Sequence, residues 1–137
     1  MKGLDTPILL AFLRGKSPAR RLIRSMAGEE LATTEWNLFE LEILARIADP
    51  RGYSNRAATL EKLRRRLTVL PIDLHAVRSA SKAVSSSEGV PTRCAAVRLM
   101  LGAMEANGAT EWYTTKKFAI AHHKGRCRVK LVDFGRA

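Results

Sequence analysis

Short strand-like runs that alternate with helix-length stretches constrain this chain more than any other feature. The runs are Met1 to Leu4, Glu30 to Thr33, Val69 to Ile72, Glu111 to Thr114 and Arg128 to Val132. Between the first two, Ile8, Leu9, Leu10, Phe12 and Leu13 mark a helix closed by Gly15, and Ser17-Pro18 reads as the N-cap and first turn of another through about Met26. Thr34 is expected to cap a third helix, with Leu41, Leu44 and Ile47 turned inward and Phe39 and Ile43 widening that face. After the Asp49-Pro50-Arg51-Gly52 turn, Leu60, Leu63 and Leu67 line one face of a helix from about Asn55 to Arg66. Asp73 caps the next, roughly Leu74 to Ser87, and Gly89-Val90-Pro91 breaks the chain. Val97, Leu101 and Met104 define the buried stripe of a helix that stops at Asn107-Gly108, and Lys116 to Lys124 reads as a last short helix. Such alternation implies a three-layer α/β/α sandwich around a mainly parallel sheet. Ligands of these sheets sit beyond the carboxyl ends of the strands, and Asp5 falls at the end of the first.

Size and charge narrow the partners. The 137 residues form one domain by ordinary size priors, expected over 1–137. Lys and Arg total 24 against 13 acids, a net charge of +11. The positive charge comes in acid-free blocks: Arg14, Lys16, Arg20, Arg21 and Arg24; Lys62, Arg64, Arg65 and Arg66; and Lys116, Lys117, Lys124, Arg126, Arg128 and Lys130. A single block would be a solvated helix face; three favour a polyanion, with nucleic acid the first candidate and a membrane surface a distant second. No apolar run approaches the roughly 18 residues of a membrane span. With no leader-like N-terminal pattern, a cytoplasmic location is expected. Cys94 and Cys127 lack metal-like spacing and read as free buried thiols, with a disulfide of the kind found in heat-adapted intracellular proteins as the alternative.

Several segments together resemble one family. Met1-Lys2-Gly3-Leu4-Asp5-Thr6 resembles the strand and Asp-Thr opening of PIN domains, the fold of VapC toxins and related metal-dependent ribonucleases. Leu31-Ala32-Thr33-Thr34 followed by Glu40-Leu41 resembles the second family segment. Gly89-Val90-Pro91 leading to Leu101-Gly102-Ala103 and Asn107-Gly108-Ala109 resembles the third, Tyr113-Thr114-Thr115-Lys116-Lys117-Phe118 the fourth, and Arg128 to Val132 the closing strand. The resemblance spans essentially the whole chain.

The departures bear on chemistry. The family holds one or two divalent ions on three or four converging carboxylates, and the ion activates water against a phosphodiester. Asp5 and Glu40 match two of those acids, whereas the third and fourth positions read Arg98 and Lys116, and Pro7 stands where Asn often follows Asp-Thr. Two acids replaced by two cations change the formal charge of the site by about four units. The resemblance with these departures implies an RNA-binding protein that is catalytically inactive, needs no cofactor, and docks as a basic component of a ribonucleoprotein such as the ribosome. Its RNA contacts would come from Arg14, Lys16, Arg20, Arg21, Arg24, Lys62, Arg65, Arg66, Lys117, Lys124, Arg126 and Arg128. The alternative is a Mg- or Mn-dependent endoribonuclease of the VapC toxin type, a homodimer with an antitoxin partner. There Asp5 and Glu40 would be the catalytic, metal-holding acids, joined by another such as Glu105 or Asp73. A third option is a dimerisation module without nucleic acid.

Plainer readings stand beside these. Asp5 could cap the following helix, though Pro7 leaves only the Ile8 amide as donor. Arg98 is either an exposed helix residue near Glu105 or a guanidinium set between Asp5 and Glu40 in place of a metal. Glu35 and Glu42 read as solvated, His75 as exposed and His122-His123 as surface residues, while Trp112 and Tyr113 alternate on a strand so that one of them faces the core, with base stacking the lesser reading.

Overall fold

In this computed structural model, which describes residues 1–48, 50–82, 94–117 and 125–134, the first strand lies in the middle of the sheet. Lys2–Leu4 (β1) is followed by helices Thr6–Leu13 (α1) and Ser17–Ser25 (α2), then strand Leu31–Thr34 (β2). Helices Glu35–Ile47 (α3) and Tyr53–Arg64 (α4) lead to Thr68–Leu70 (β3), and Leu74–Lys82 (α5) and Ala95–Ala106 (α6) precede Glu111–Thr114 (β4) and Arg128–Leu131 (β5). The five strands run in the order β3-β2-β1-β4-β5, and every pairing is parallel. Gly89-Val90-Pro91, residues 83–87 of the expected fifth helix, Phe118, His122-His123 and Lys124 lie outside the described residues.

Alternation along β1 and β4 sends side chains to two cores. Leu4 joins Ile8, Leu9, Met26, Leu41, Leu60 and Leu63 on the face covered by α1 to α4. Trp112 joins Val97, Met100, Leu101 and Met104 on the other face, under α5 and α6. A Cβ at Gly3 would lie 2.5 Å from the Met104 sulfur and 2.9 Å from the Trp112 ring, so the glycine lets that layer close on β1. This is the three-layer arrangement expected from the alternation of strands and helices.

Local signals explain the boundaries. The Asp73 carboxylate accepts from the Ala76 amide at 3.0 Å, capping α5. Gly108, at φ 74°, takes the left-handed conformation just past α6. Two expectations are corrected. The N-cap of α2 is Lys16, with Ser17 already helical, and no side-chain bond is made there; a lysine side chain carries donors only and cannot accept from the first amides of the helix. On α3 the inward stripe is Asn37, Leu41 and Ala45, at four-residue spacing. Phe39, Ile43 and Ile47 point outward, with Ile47 74% exposed. Leu41, Leu44 and Ile47 do not form one inward row, because the polar Asn37 heads the buried face and sets its four-residue spacing.

Candidate functional site

Asp5 follows β1 directly and is fully buried. Its Oδ1 accepts from the Thr6 amide at 2.8 Å and from Asn37 Nδ2 at 3.0 Å. Its Oδ2 accepts from Thr114 Oγ1 at 2.6 Å and lies 3.3 Å from Lys116 Nζ. An ionised carboxylate has about four lone-pair positions, so Asp5 is satisfied on all sides. The carboxylate does not cap through Ile8: that amide, like the Leu9 amide, bonds the Asp5 backbone carbonyl.

The donors come from separate elements. Thr34 and Asn37 form a reciprocal capping box at the start of α3. The box leaves the Asn37 amide nitrogen free to reach Asp5 and also Thr6 Oγ1 and the Met100 sulfur, each at 3.0 Å. Thr6 Oγ1 in turn donates to Glu40 Oε1 at 2.9 Å, so one hydroxyl and one amide bridge Asp5 to Glu40. Thr33 Oγ1 ties the end of β2 to the Leu4 carbonyl at 2.9 Å. At β4, Thr114 Oγ1 accepts from the Lys116 amide at 3.1 Å while donating to Asp5, which fixes the backbone that carries the lysine. Asn37 escaped the sequence reading; the signal was its position three residues after the capping Thr34, where a glutamate or glutamine is the usual partner.

Arg98 lies on α6, only 9% exposed, two residues before the Met100 that meets Asn37. This removes the plain expectation of an exposed helix residue. Among the described residues Lys116, with its side chain 25% exposed, places a cation on Asp5.

The residues fit a divalent ion poorly. Entry at Asp5 would require displacing an amide, a hydroxyl or an ammonium already bonded to it. Among the described residues no group of three or more His, Cys, Asp or Glu side chains is placed to hold a metal. Asp73 caps α5, and Glu105 accepts from the Cys127 amide at 2.6 Å, so neither is positioned to complete a carboxylate set with Asp5 and Glu40.

The remaining candidates are dispersed. Arg14, Lys16, Arg20, Arg21, Arg24, Lys62, Arg65, Arg66, Lys117, Arg126 and Arg128 are all exposed. Arg64 is held by Glu61 in a two-bond fork, and Arg65 Nε lies 3.6 Å from the same carboxylate. Arg128 approaches Glu111 at 3.9 Å. His75 is exposed, as expected, and of the two alternating aromatics Trp112 is the fully buried one. Burial, with the Glu105 and Glu111 carboxylates, pushes the Cys127 thiol up to about 12, which leaves it protonated and inert at neutral pH. Neither cysteine is in a disulfide. Among the described residues no helix is long and apolar enough to cross a membrane.

Comparison with known proteins places this geometry. No curated protein matches the sequence significantly. Solved structures do match the fold. A chain of VapBC2 from Rickettsia felis, bound to a DNA fragment from its promoter, superposes with a TM-score of 0.74 at 12% identity, over 96% of this chain and 98% of that one. A chain of DNA-bound VapBC from Salmonella typhimurium gives 0.71 at 17% identity, over 94% and 96%. One of VapBC-5 from Mycobacterium tuberculosis gives 0.64 at 19% identity, over 96% and 98%. The PIN domain family model matches residues 3–99, from β1 and the Asp5 that follows it to the helix that carries Arg98, and stops before β4 and Lys116. With the parallel sheet, the buried Asp5 at the carboxyl end of its central strand and this match over most of its length, the chain belongs to the PIN domain family.

Proposed function

We propose that this chain works as a single PIN-like domain that binds RNA without cutting it, as a basic component of a ribonucleoprotein such as the ribosome. The observation that carries this reading is the ammonium of Lys116 on Asp5, at the acid that would otherwise anchor a metal. A metal ion in such a site lowers the pKa of its bound water and stabilises charge on the phosphate; an ammonium does not generate that nucleophile. The exposed blocks on α2, on and after α4, and around β5 supply the sequence-independent attraction. This reading needs no cofactor and takes the protein to act in the cytoplasm.

A second reading is a Mg- or Mn-dependent endoribonuclease of the VapC toxin type. The family and the VapBC likenesses favour it, and one feature of this chain does too. An apolar groove of about 300 Å³ runs between α1, α3 and α4, lined by Leu10, Leu13, Leu41, Leu44 and Leu60 with Arg14 and Arg56 beside them. It would suit an acidic, amphipathic antitoxin segment.

The two readings separate in one experiment: calorimetric titration of the protein with manganese, together with incubation of single-stranded RNA in magnesium or manganese. The binding reading expects no heat of manganese binding at millimolar concentration, intact RNA, and RNA affinity that falls steeply with salt. Manganese binding with metal-dependent cleavage would replace it by the nuclease reading.

A further inference from the structure

From β1 the sheet grows through β2 to β3 on one side and through β4 to β5 on the other, so the strand order reverses between β1 and β4. In open parallel sheets the crevice beyond the strand ends at such a reversal is where ligands enter. Here that crevice is flanked by Asp5 after β1 and by Thr114 and Lys116 at the end of β4.

Most polar groups in the crevice are turned on one another. Asp5 has four partners, Thr114 both donates and accepts, and the Asn37 amide is shared among three acceptors. Lys116 is different. An ammonium has three hydrogens, and among the described residues one carboxylate oxygen, Asp5 Oδ2, is its recorded partner. The side chain is fixed at its base by the bond from its own amide to Thr114, yet remains 25% exposed at the crevice. Donors that remain after a carboxylate is bound are suited to an anion approaching from solvent.

Charge points the same way. With acids at all four family positions, phosphate would be repelled unless a metal intervened. In this chain Asp5 and Glu40 are matched in number by Lys116 and Arg98, and Lys117 adds an exposed cation beside them. A phosphodiester can therefore approach without a divalent ion to mediate.

We propose that Lys116 is the resident cation of this crevice, its ammonium bridging the Asp5 carboxylate to one phosphodiester of a bound RNA strand. It reproduces the positioning part of a metal's work and omits the activation of water. A compact ammonium suits this better than a guanidinium fork, because it meets one oxygen on each side rather than demanding two parallel acceptors. The proposal rests on the RNA-binding reading and assigns it a specific contact at the family's acidic site, separate from the basic blocks on the outer helices.

The test compares wild type, Lys116→Gln and Lys116→Arg for binding of a short oligouridylate across a range of salt. Loss of one phosphate contact should weaken binding roughly five-fold at moderate salt and reduce the slope of log K against log salt by about 0.7 to 1. Lys116→Arg keeps the charge and should keep the slope. Because Lys116→Gln removes the counter-charge of a buried carboxylate and could unfold the protein, a second measurement uses wild type alone. Reductive methylation with and without oligouridylate, read by mass spectrometry, should find Lys116 protected by RNA. Failure of the wild type to bind RNA at any salt would overturn the RNA reading and this inference with it. Normal wild-type binding, with Lys116 methylated equally in both samples or a folded Lys116→Gln of unchanged slope, would overturn this inference alone.

Discussion

Asn37 does more for the buried polar cluster than any charged group. Its side-chain oxygen accepts from the Thr34 amide at 3.1 Å and hydroxyl at 2.7 Å, while its amide nitrogen faces Asp5, Thr6 and the Met100 sulfur. Two amide hydrogens serve three acceptors, and the sulfur, the weakest of them, takes the smallest share. Truncation removes a donor from a fully buried carboxylate and from the bridge to Glu40. Leaving buried polar groups unsatisfied costs about 1–3 kcal/mol each, so Asn37→Ala is expected to lose roughly 2–4 kcal/mol. Urea denaturation should show a lower midpoint with unchanged slope; a loss below about 1 kcal/mol would mean that the cluster re-forms without Asn37. The sequence displayed Asp5 plainly, as an acid after an apolar run, but left its neighbours ambiguous. Asn37 sits among hydrophobic residues on a helix, and its one local signal, the place three residues after the capping Thr34, does not tell that its amide meets Asp5.

At the scale of elements, α3 and α6 behave oppositely. Residues Val97, Arg98 and Met100 through Met104 of α6 are all buried, because the helix is enclosed by α5, the sheet and the edge of α3. Gly102 is the point of closest approach to α5: a Cβ there would collide with the Ala76 carbonyl oxygen and lie 2.7 Å from the Ala80 methyl. Backbone cannot yield as a flexible side chain does. Gly102→Ala should therefore destabilise by about 1–3 kcal/mol despite the better helix propensity of alanine. The outer row of α3 provides the contrast. Ile47 is 74% exposed, so Ile47→Lys should shift stability by no more than about 0.5 kcal/mol. Paired thermal and urea melts check both, and the reverse ranking would contradict the helix faces described. Caps and stops were legible beforehand at Thr34, Asp73 and Gly108 because they act within one turn of chain. The face of α3 was not, since the choice between two apolar rows depends on what lies across from each.

For the whole molecule, charge is the main lever. Arg20, Arg21 and Arg24 are exposed on α2, a helix with no acid, in a chain of net charge +11. If this helix contacts RNA backbone, the triple change of these arginines to Ala should flatten the salt dependence of binding by up to about two to three units. An unchanged slope would remove α2 from the interface while leaving the Lys116 contact to its own test. The acid-free blocks were legible because charge simply adds along a sequence; whether their side chains were occupied was not, as the fork between Arg64 and Glu61 illustrates. By itself the sequence determined the five strands, their alternation with helices, the positions of most helix ends and the excess of positive charge. These depend on each residue and its neighbours within a strand or a turn. Only the tertiary structure decided that β1 is central, that the order reverses beside it, that Asn37 faces inward, and that Lys116 rests on Asp5. Those outcomes join groups as far apart as Thr114 and Asp5, 109 residues from one another, and are set by which buried faces pack together rather than by any local preference.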